Sequence, residues 1–135
     1  MRVIEYMLDT NIVSYAIRGN EKVLQRLIDL PPQRVCVSSI TTGELLFGLA
    51  KRPEATRLAI AVHELLLRLV TLPWDESVCS VYGEQRAIME ASGKKMASLD
   101  MLIAAHALSI GVVLVTNDEA FAQVRGLATE NWLAN

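Results

Sequence analysis

Apolar and polar residues follow two different periods along this chain, and the two periods alternate. The short segments VCVS and VVLVT are rich in β-branched residues with almost no polar interruption, which is typical of strands buried in a parallel sheet. The segment EKVLQRLIDL instead has apolar residues three and four positions apart, which predicts a helix that Pro31 and Pro32 end. Strands that alternate with helices predict an α/β fold in which a parallel sheet carries helices on both faces, with right-handed crossovers.

The turn residues between these segments show the order of the elements and give no sign of a linker or a repeat. One domain over residues 1–135 is therefore expected, long enough to bury a core. In the first half of the chain the predicted elements are a strand at VIEYML, a helix at NIVSYAIR closed by Gly19-Asn20, the helix EKVLQRLIDL, the strand VCVS, a helix at ITTGELLFGLAK stopped near Pro53, and a helix over Glu54 to Arg68. The strand LVTL follows, and then a helix that begins at the N-cap Asp75 and runs toward Ala91, with Gly93 after it. The last predicted elements are a helix around Leu99–Leu108 stopped at Gly111, the strand VVLVT, a short helix near Glu119–Val124 and an edge strand near Leu127–Glu130.

The composition excludes several classes of protein. Apolar residues make up 52% of the chain and charged residues 21%, which excludes a disordered protein. The most apolar stretch is interrupted by Asp100, His106 and Gly111, so no membrane span is expected. The N-terminal MRVIEYMLDT lacks the features of a signal peptide, and we expect a cytoplasmic protein. The net charge of −2 argues against a protein that coats DNA, although a nucleic-acid substrate stays compatible with it.

Four acidic side chains stand where an apolar strand ends or a helix begins: Asp9, Glu44, Asp100 and Asp118. In a parallel α/β sheet these points converge on the carboxyl edge of the strands, where ligands bind. Four carboxylates brought together without a matching Lys or Arg would repel one another unless a cation joined them. Oxygen ligands without a cluster of His or Cys favour Mg²⁺ or Mn²⁺ over zinc.

Three of the four acids also have a purely structural interpretation. Asp9 could cap the next helix, and Thr41 with Glu44 fits a capping box. Asp118 has a turn interpretation, and Glu119 beside it could take its place. Asp100 is harder to explain in this way, because its helix is apolar nearly all round and the helix dipole offers only about 0.3–1 kcal/mol. Caps do not need to be acidic, so the four acids together favour a metal site.

Such a site supports the cleavage of a phosphodiester bond. Bound ions can lower the pKa of a water and stabilise charge on a phosphoryl group, and two ions about 3.5–4 Å apart could hold both the attacking and the leaving oxygen. No Ser-His-Asp set, catalytic cysteine or phosphate-binding Gly-rich loop is present. His63 and His106 are predicted to be structural, and Cys36 and Cys79 to be buried thiols that pack as small apolar residues.

Small polar and basic residues surround the acids in the sequence. Five could orient metal-bound water or the carboxylates, although capping is an equally good role for each: Thr10, Asn11, Ser39, Thr116 and Asn117. Five basic residues could contact phosphates, although an exposed surface role is favoured for each: Lys51, Arg52, Arg86, Lys94 and Lys95.

Several segments, taken together and in order, resemble the PIN-domain ribonuclease toxins of the VapC type. They are MLDTNIVSY, SSITTGELLFG, LPWD with YGEQRA, SGKKMASLDMLIAAHAL, VLVTND and LATENW. LDTN or TND alone is a weak signal, whereas the spaced set, with Gly93 seven residues before Asp100 and IAAHAL after it, is specific. The resemblance covers essentially the whole chain.

This resemblance implies a three-layer α/β/α fold around a short, mostly parallel sheet. It also implies Mg²⁺- or Mn²⁺-dependent endonucleolytic cleavage of RNA, often in a tRNA or ribosomal RNA loop, which would inhibit translation. The acids of the family map onto Asp9, Glu44, Asp100 and Asp118. Members form homodimers and are neutralised by a VapB-type antitoxin whose tail occupies the acidic groove. DNA is expected to be contacted only through the antitoxin.

The chain departs from the family pattern at one place. Relatives often have Asn-Asn and a longer segment before the phenylalanine, where this chain has Asn117-Asp118-Glu119-Ala120-Phe121. Three alternatives for the fourth acid therefore stay open: Asp118 fills the position alone, it shares the position with Glu119 or yields it to that residue, or it only holds a water. Two other functions are compatible with an acidic α/β domain. A PIN scaffold that binds RNA or protein without cutting is one, and a receiver-like signalling domain is the other. The receiver would need adjacent acids after the first strand and a Lys after a later strand, and the chain has neither.

Overall fold

A computed structural model describes residues 3–134 of the chain. Its centre is a sheet of five strands in the order β3-β2-β1-β4-β5, in which every neighbouring pair is parallel. The strands are β1 (Tyr6–Leu8), β2 (Val35–Ser38), β3 (Val70–Leu72), β4 (Val113–Val115) and β5 (Thr129–Glu130). The α-helices are α1 (Thr10–Ile17), α2 (Glu21–Asp29), α3 (Ser39–Ala50), α4 (Thr56–Arg68), α5 (Glu76–Ala91) and α6 (Ser98–Ile110), and short 3₁₀ helices cover Pro32–Arg34 and Glu119–Gln123.

Alternate strand residues face opposite sides of the sheet, and each side has its own apolar core. On one side Leu8 and Val115 pack with α1, α2 and α4. On the other side Met7, Cys36 and Leu114 pack with α6 and the segment after Asp118. Helices therefore cover both faces, and the predicted three-layer α/β/α fold is confirmed.

The predicted element boundaries hold to within a few residues. Asp75 caps α5 by accepting a hydrogen bond from the Ser77 N–H, at 3.0 Å. Gly93 (φ +72°) and Gly111 (φ +70°) adopt the left-handed conformation that favours glycine. The α4 helix begins at Thr56, two residues later than predicted. No helix between residues 3 and 134 is long and apolar enough to cross a membrane.

The two cysteines differ. Cys36 is fully buried in β2, and burial raises the pKa of its thiol to about 12. Cys79 lies on the outer face of α5 and is exposed, so the prediction of a buried thiol is wrong there. Only one stripe of a surface helix faces the core, and position 79 falls outside it.

Candidate metal centre

The carboxyl ends of β1 and β4 lie side by side at the middle of the sheet. Leu8 pairs with Val115, and the Asp9 N–H continues the ladder by donating to the Val115 carbonyl at 3.0 Å. Asp9 and Thr116 are the first residues beyond these strands. The sheet topology thus places the first acid of the sequence beside the segment that carries the last one.

Asp9 is buried, with 3% of its surface exposed, and it also caps α1. One of its carboxylate oxygens accepts a hydrogen bond from the Ile12 N–H at 2.8 Å. Burial raises the pKa of Asp9 to about 6, against the opposing effect of hydrogen bonds from the Thr116 hydroxyl and the Ile12 N–H. The negative charges of Asp100 and Asp118 raise this pKa further. Asp9 therefore does cap α1, and its ionised carboxylate is at the same time destabilised by burial and by the neighbouring negative charges.

Glu44 lies in α3 and points toward the start of α1, where its Oε1 accepts a hydrogen bond from the Thr10 hydroxyl at 3.0 Å. The capping-box interpretation of Glu44 is wrong. The N-cap of α3 is Ser38, whose hydroxyl accepts from the Ile40 N–H at 3.1 Å, and Thr41 is buried within the first turn. The Thr41 hydroxyl lies 3.1 Å from that of Thr10.

Asp100 lies in the first turn of α6 and is half-buried. Its pKa is raised first by burial and then by the negative charges of Asp118 and Glu44. The N-cap residue of this helix, Ala97, offers no side-chain oxygen. The dipole of α6 therefore partly stabilises the Asp100 carboxylate, but that effect is smaller than the cost of bringing the charges together.

Asp118 caps the 3₁₀ helix by accepting from the Ala120 N–H at 2.9 Å, and its own N–H donates to the Thr116 hydroxyl at 3.0 Å. These bonds fix its half-buried carboxylate close enough to Asp9 and Asp100 to raise the pKa of both. Glu119 is exposed and contributes to neither shift. Of the two adjacent acids, Asp118 is the one that faces the others.

The four acids form one electrostatic group. None of them forms an ion pair with a Lys, Arg or His in residues 3–134. Within that range no three His, Cys, Asp or Glu side chains stand as a ready-made ligand cage. The arrangement is thus an oxygen-lined edge with excess negative charge. Mg²⁺ typically keeps several of its waters and takes only one or two carboxylates directly, so this donor set suits a hydrated hard cation.

The other predicted site residues divide into two groups. Thr10 and Thr116 contact the acids, as described above, whereas Ser39 serves the backbone by accepting from the Trp74 N–H at 2.9 Å. Asn11 is exposed and Asn117 half-buried, and neither has a hydrogen bond to the acids. Thr41 was missed, because the capping-box pattern assigned it a different role.

The two histidines lie outside the acidic group. His106 is buried, and its Nδ1 lies 2.8 Å from the Ser38 hydroxyl. Burial lowers the pKa of His106. His63 is on the exposed face of α4 and packs in no core. The structural role predicted for His106 is confirmed, and His63 is a surface residue.

Comparison with known proteins identifies the fold family. The PIN domain family matches residues 6–127. The chain is 36% identical to ribonuclease VapC2 of Haemophilus influenzae, over 97% of this chain and all of that protein. It is 31% identical to the tRNA(fMet)-specific endonuclease VapC of Shigella flexneri, over 96% of this chain and 99% of that protein.

Solved structures give the same result. The chain superposes on a chain of the DNA-bound VapBC complex of Salmonella typhimurium with a TM-score of 0.90 and 34% identity, covering 96% of this chain and 98% of that one. It superposes on a chain of VapBC2 from Rickettsia felis, bound to a promoter DNA fragment, with a TM-score of 0.88 and 32% identity, covering 96% and 99%. The chain therefore belongs to the PIN-domain family and, within it, to the ribonuclease toxins of the VapC type.

Proposed function

We propose that this protein is a metal-dependent endoribonuclease and the toxin of a toxin–antitoxin pair. The observation that carries the proposal is the group of four acids without a counter-charge. Burial and, after it, mutual repulsion raise the pKa of Asp9 and Asp100, and a divalent cation that binds there offsets both effects. Ionisation of Asp9 and Asp100 is therefore disfavoured in the fold alone, and a bound cation would make it favourable.

The residues have distinct roles in this proposal. Asp9 and Asp100 would hold the metal directly, Glu44 would hold metal or water through a carboxylate that Thr10 orients, and Asp118 would lie at the outer side of the site. Bound Mg²⁺ or Mn²⁺ supplies positive charge that acidifies a water and stabilises the phosphoryl oxygens. The water oxygen attacks phosphorus, the bond from phosphorus to the leaving ribose oxygen breaks, and that oxygen takes up a proton. In this proposal a carboxylate of the group would accept the proton that the attacking water loses.

The relatives support a proposal for the substrate and for the partners. One relative is a tRNA(fMet)-specific endonuclease, so a structured RNA loop of a tRNA or ribosomal RNA is the proposed substrate, and its cleavage in the cytoplasm would inhibit translation. The two solved relatives compared above are VapBC complexes, and both are bound to DNA. The proposed assembly is accordingly a homodimer that a VapB-type antitoxin neutralises, with DNA contacted through the antitoxin.

The test is RNA cleavage by the purified protein freed of antitoxin. Cleavage is expected with Mg²⁺ or Mn²⁺, to be abolished by EDTA and to return when the metal is restored. Asp100→Asn should lower the rate by on the order of 100-fold or more while the protein stays folded. Glu76→Gln is the matched control, because Glu76 is also an acid in the first turn of a helix but lies outside the site.

Undiminished cleavage in EDTA, or full activity of Asp100→Asn, would contradict the proposal. If the protein binds Mn²⁺ and RNA but does not cut, the PIN scaffold that only binds RNA replaces it.

A further inference from the structure

A cavity of about 390 Å³ opens between the C-terminal half of α5 and the start of α6. Met89, Met96 and Met101 form its apolar lining, here called the methionine floor, and two of them, Met89 and Met101, are buried. Polar and basic residues line the rest of it: Tyr82, Arg86, Glu90, Lys94, Lys95 and Ser98. The volume lies within the range of pockets that hold small ligands, and polarisable methionine side chains pack well against flat aromatic rings.

The charge at the rim is positive. Arg86 donates to Glu90 at 3.0 Å and to the Tyr82 hydroxyl at 2.9 Å, so the single carboxylate of the lining is already paired. Lys94 and Lys95 are exposed, and no carboxylate in residues 3–134 forms an ion pair with either. The turn at Gly93 holds the start of this segment in place through the Lys94 N–H, which donates to the Met89 carbonyl at 2.9 Å. Two cationic side chains are therefore available to a ligand.

The cavity adjoins the acidic group. Ser98 and Met101 line it from the first turn of α6, the turn that also carries Asp100. Asp100 is next to Met101 in sequence, about 100° around a helix whose diameter is about 10–12 Å. Asp100 and the cavity therefore lie on different sides of the same helical turn, so an RNA strand that passes over Asp100 has to cross no more than the width of one helix to reach the cavity. The acids repel such a polyanion, and an adjacent cationic rim offsets that repulsion.

From this geometry we infer that the α5–α6 cavity is a substrate subsite that holds one nucleotide of the RNA strand next to the cleaved bond. Lys94 and Lys95 bind its phosphate, and the methionine floor takes its base. This subsite rests on the proposed ribonuclease function and adds residues to it that lie outside the four acids.

The experiment measures RNA binding separately from cleavage. The intact protein binds a fluorescently labelled RNA hairpin in EDTA, where cleavage is off, at a series of salt concentrations. The variant K94A/K95A is compared with R57A/R125A, which also removes two exposed positive charges but from residues outside the cavity lining. We expect K94A/K95A to weaken binding about tenfold and to reduce the slope of log K against log salt by about 1.4, the value for two single-strand phosphate contacts. R57A/R125A should leave both quantities close to wild type.

Equal binding by the two double variants would overturn the subsite while leaving the cleavage proposal intact. A change of K94A/K95A in oligomeric state by light scattering, with unchanged RNA affinity, would also overturn it and make this face a contact between copies of the chain. A wild-type protein that neither binds nor cuts RNA would overturn the proposed function, and the subsite with it. A scan of single abasic positions along the loop tests the methionine floor: one sensitive position is expected, and none would contradict it.

Discussion

Asp9 and Glu130 are two carboxylates at the same edge of the sheet, and their charges are handled in opposite ways. Glu130 ends β5, beside Thr116, whose N–H donates to its carbonyl at 2.9 Å. Its side chain accepts from Arg26 at 2.6 Å and from the Trp132 indole N–H at 2.9 Å. Asp9 is more deeply buried and has no cation in residues 3–134.

The side chains around Glu130 also pack on one another. The Arg26 guanidinium lies 4.8 Å from the centre of the Trp132 ring, and that ring meets Tyr6 edge-on at 5.4 Å. The charges of Glu130 and Arg26 are thus paired with each other within the fold. The difference teaches that position at the carboxyl edge does not by itself select the acids proposed to bind metal, whereas a buried charge without a partner is the feature on which that proposal rests.

The largest expected effect is on the stability of the metal-free protein. Asp9→Asn keeps the helix cap, because Asn also accepts from the Ile12 N–H, but it removes the buried charge. A pKa of about 6 in the fold, against 3.8 normally, corresponds to about 3 kcal/mol at neutral pH. The variant should therefore be more stable than wild type by up to about 3 kcal/mol in urea unfolding at pH 7.

The pH dependence of this effect has a definite sign. Between pH 3.8 and 6 the folded state binds more protons at Asp9 than the unfolded state, so its contribution to the free energy of unfolding falls as the pH rises. The advantage of Asp9→Asn should be absent below pH 4, grow through this window and stay constant above it. Mg²⁺ should narrow the gap by stabilising wild type alone. A variant less stable than wild type at pH 7 in EDTA would contradict the account of Asp9.

The second prediction separates two neighbouring acids. Asp118→Asn should slow RNA cleavage by about 10- to 100-fold, because its carboxylate faces Asp9 and Asp100. Glu119→Gln should stay within about twofold of wild type, since Glu119 is exposed. Single-turnover rates at saturating Mg²⁺ measure both. The reverse order of effects would assign the fourth role to Glu119.

The third prediction concerns the ion pair between Glu130 and Arg26. Glu130→Gln should destabilise the fold by about 1 kcal/mol, because it weakens a half-exposed ion pair and the packing of Arg26 on Trp132. Cleavage at a temperature where the variant is folded should be unchanged. A loss of activity comparable to that of Asp118→Asn would mean that the distinction between the two carboxylates is wrong.

The smallest expected effect concerns Thr10. Thr10→Val removes the hydroxyl that holds Glu44 while keeping the shape of the side chain, and cleavage should fall by roughly threefold to tenfold. Thr42→Val serves as a control on α3, because the Thr42 hydroxyl has no hydrogen-bond partner. Parallel kcat and KM measurements for the two variants would separate a positioning effect from a change in RNA binding.

Much of the fold could be predicted from the sequence, because its signals are local. The apolar runs, the proline stops and the glycines at 93 and 111 each act within a few residues, and the parallel rule then collects the strand ends at one edge. The grouping of the acids followed from that rule; their roles in metal binding and catalysis stay predictions.

What could not be predicted depends on contacts between distant segments. The capping box at Thr41 failed because the hydroxyl that caps α3 comes from Ser38, the last residue of β2. The charge of Glu130 is neutralised by Arg26, which lies more than a hundred residues earlier in the chain. Whether Cys79 faces the core depends on how α5 rotates against α6, and its own helix does not determine that.

Ser38 has a consequence for the whole acidic edge. Its oxygen accepts from the first turn of α3 while its proton is available to His106 in α6, so one hydroxyl fastens the helix of Glu44 to the helix of Asp100. The distance between Glu44 and Asp100 therefore depends on the uncharged, fully buried side chain of Ser38. Loss of this hydroxyl would therefore let α3 and α6 shift relative to each other, and with them the carboxylates of Glu44 and Asp100.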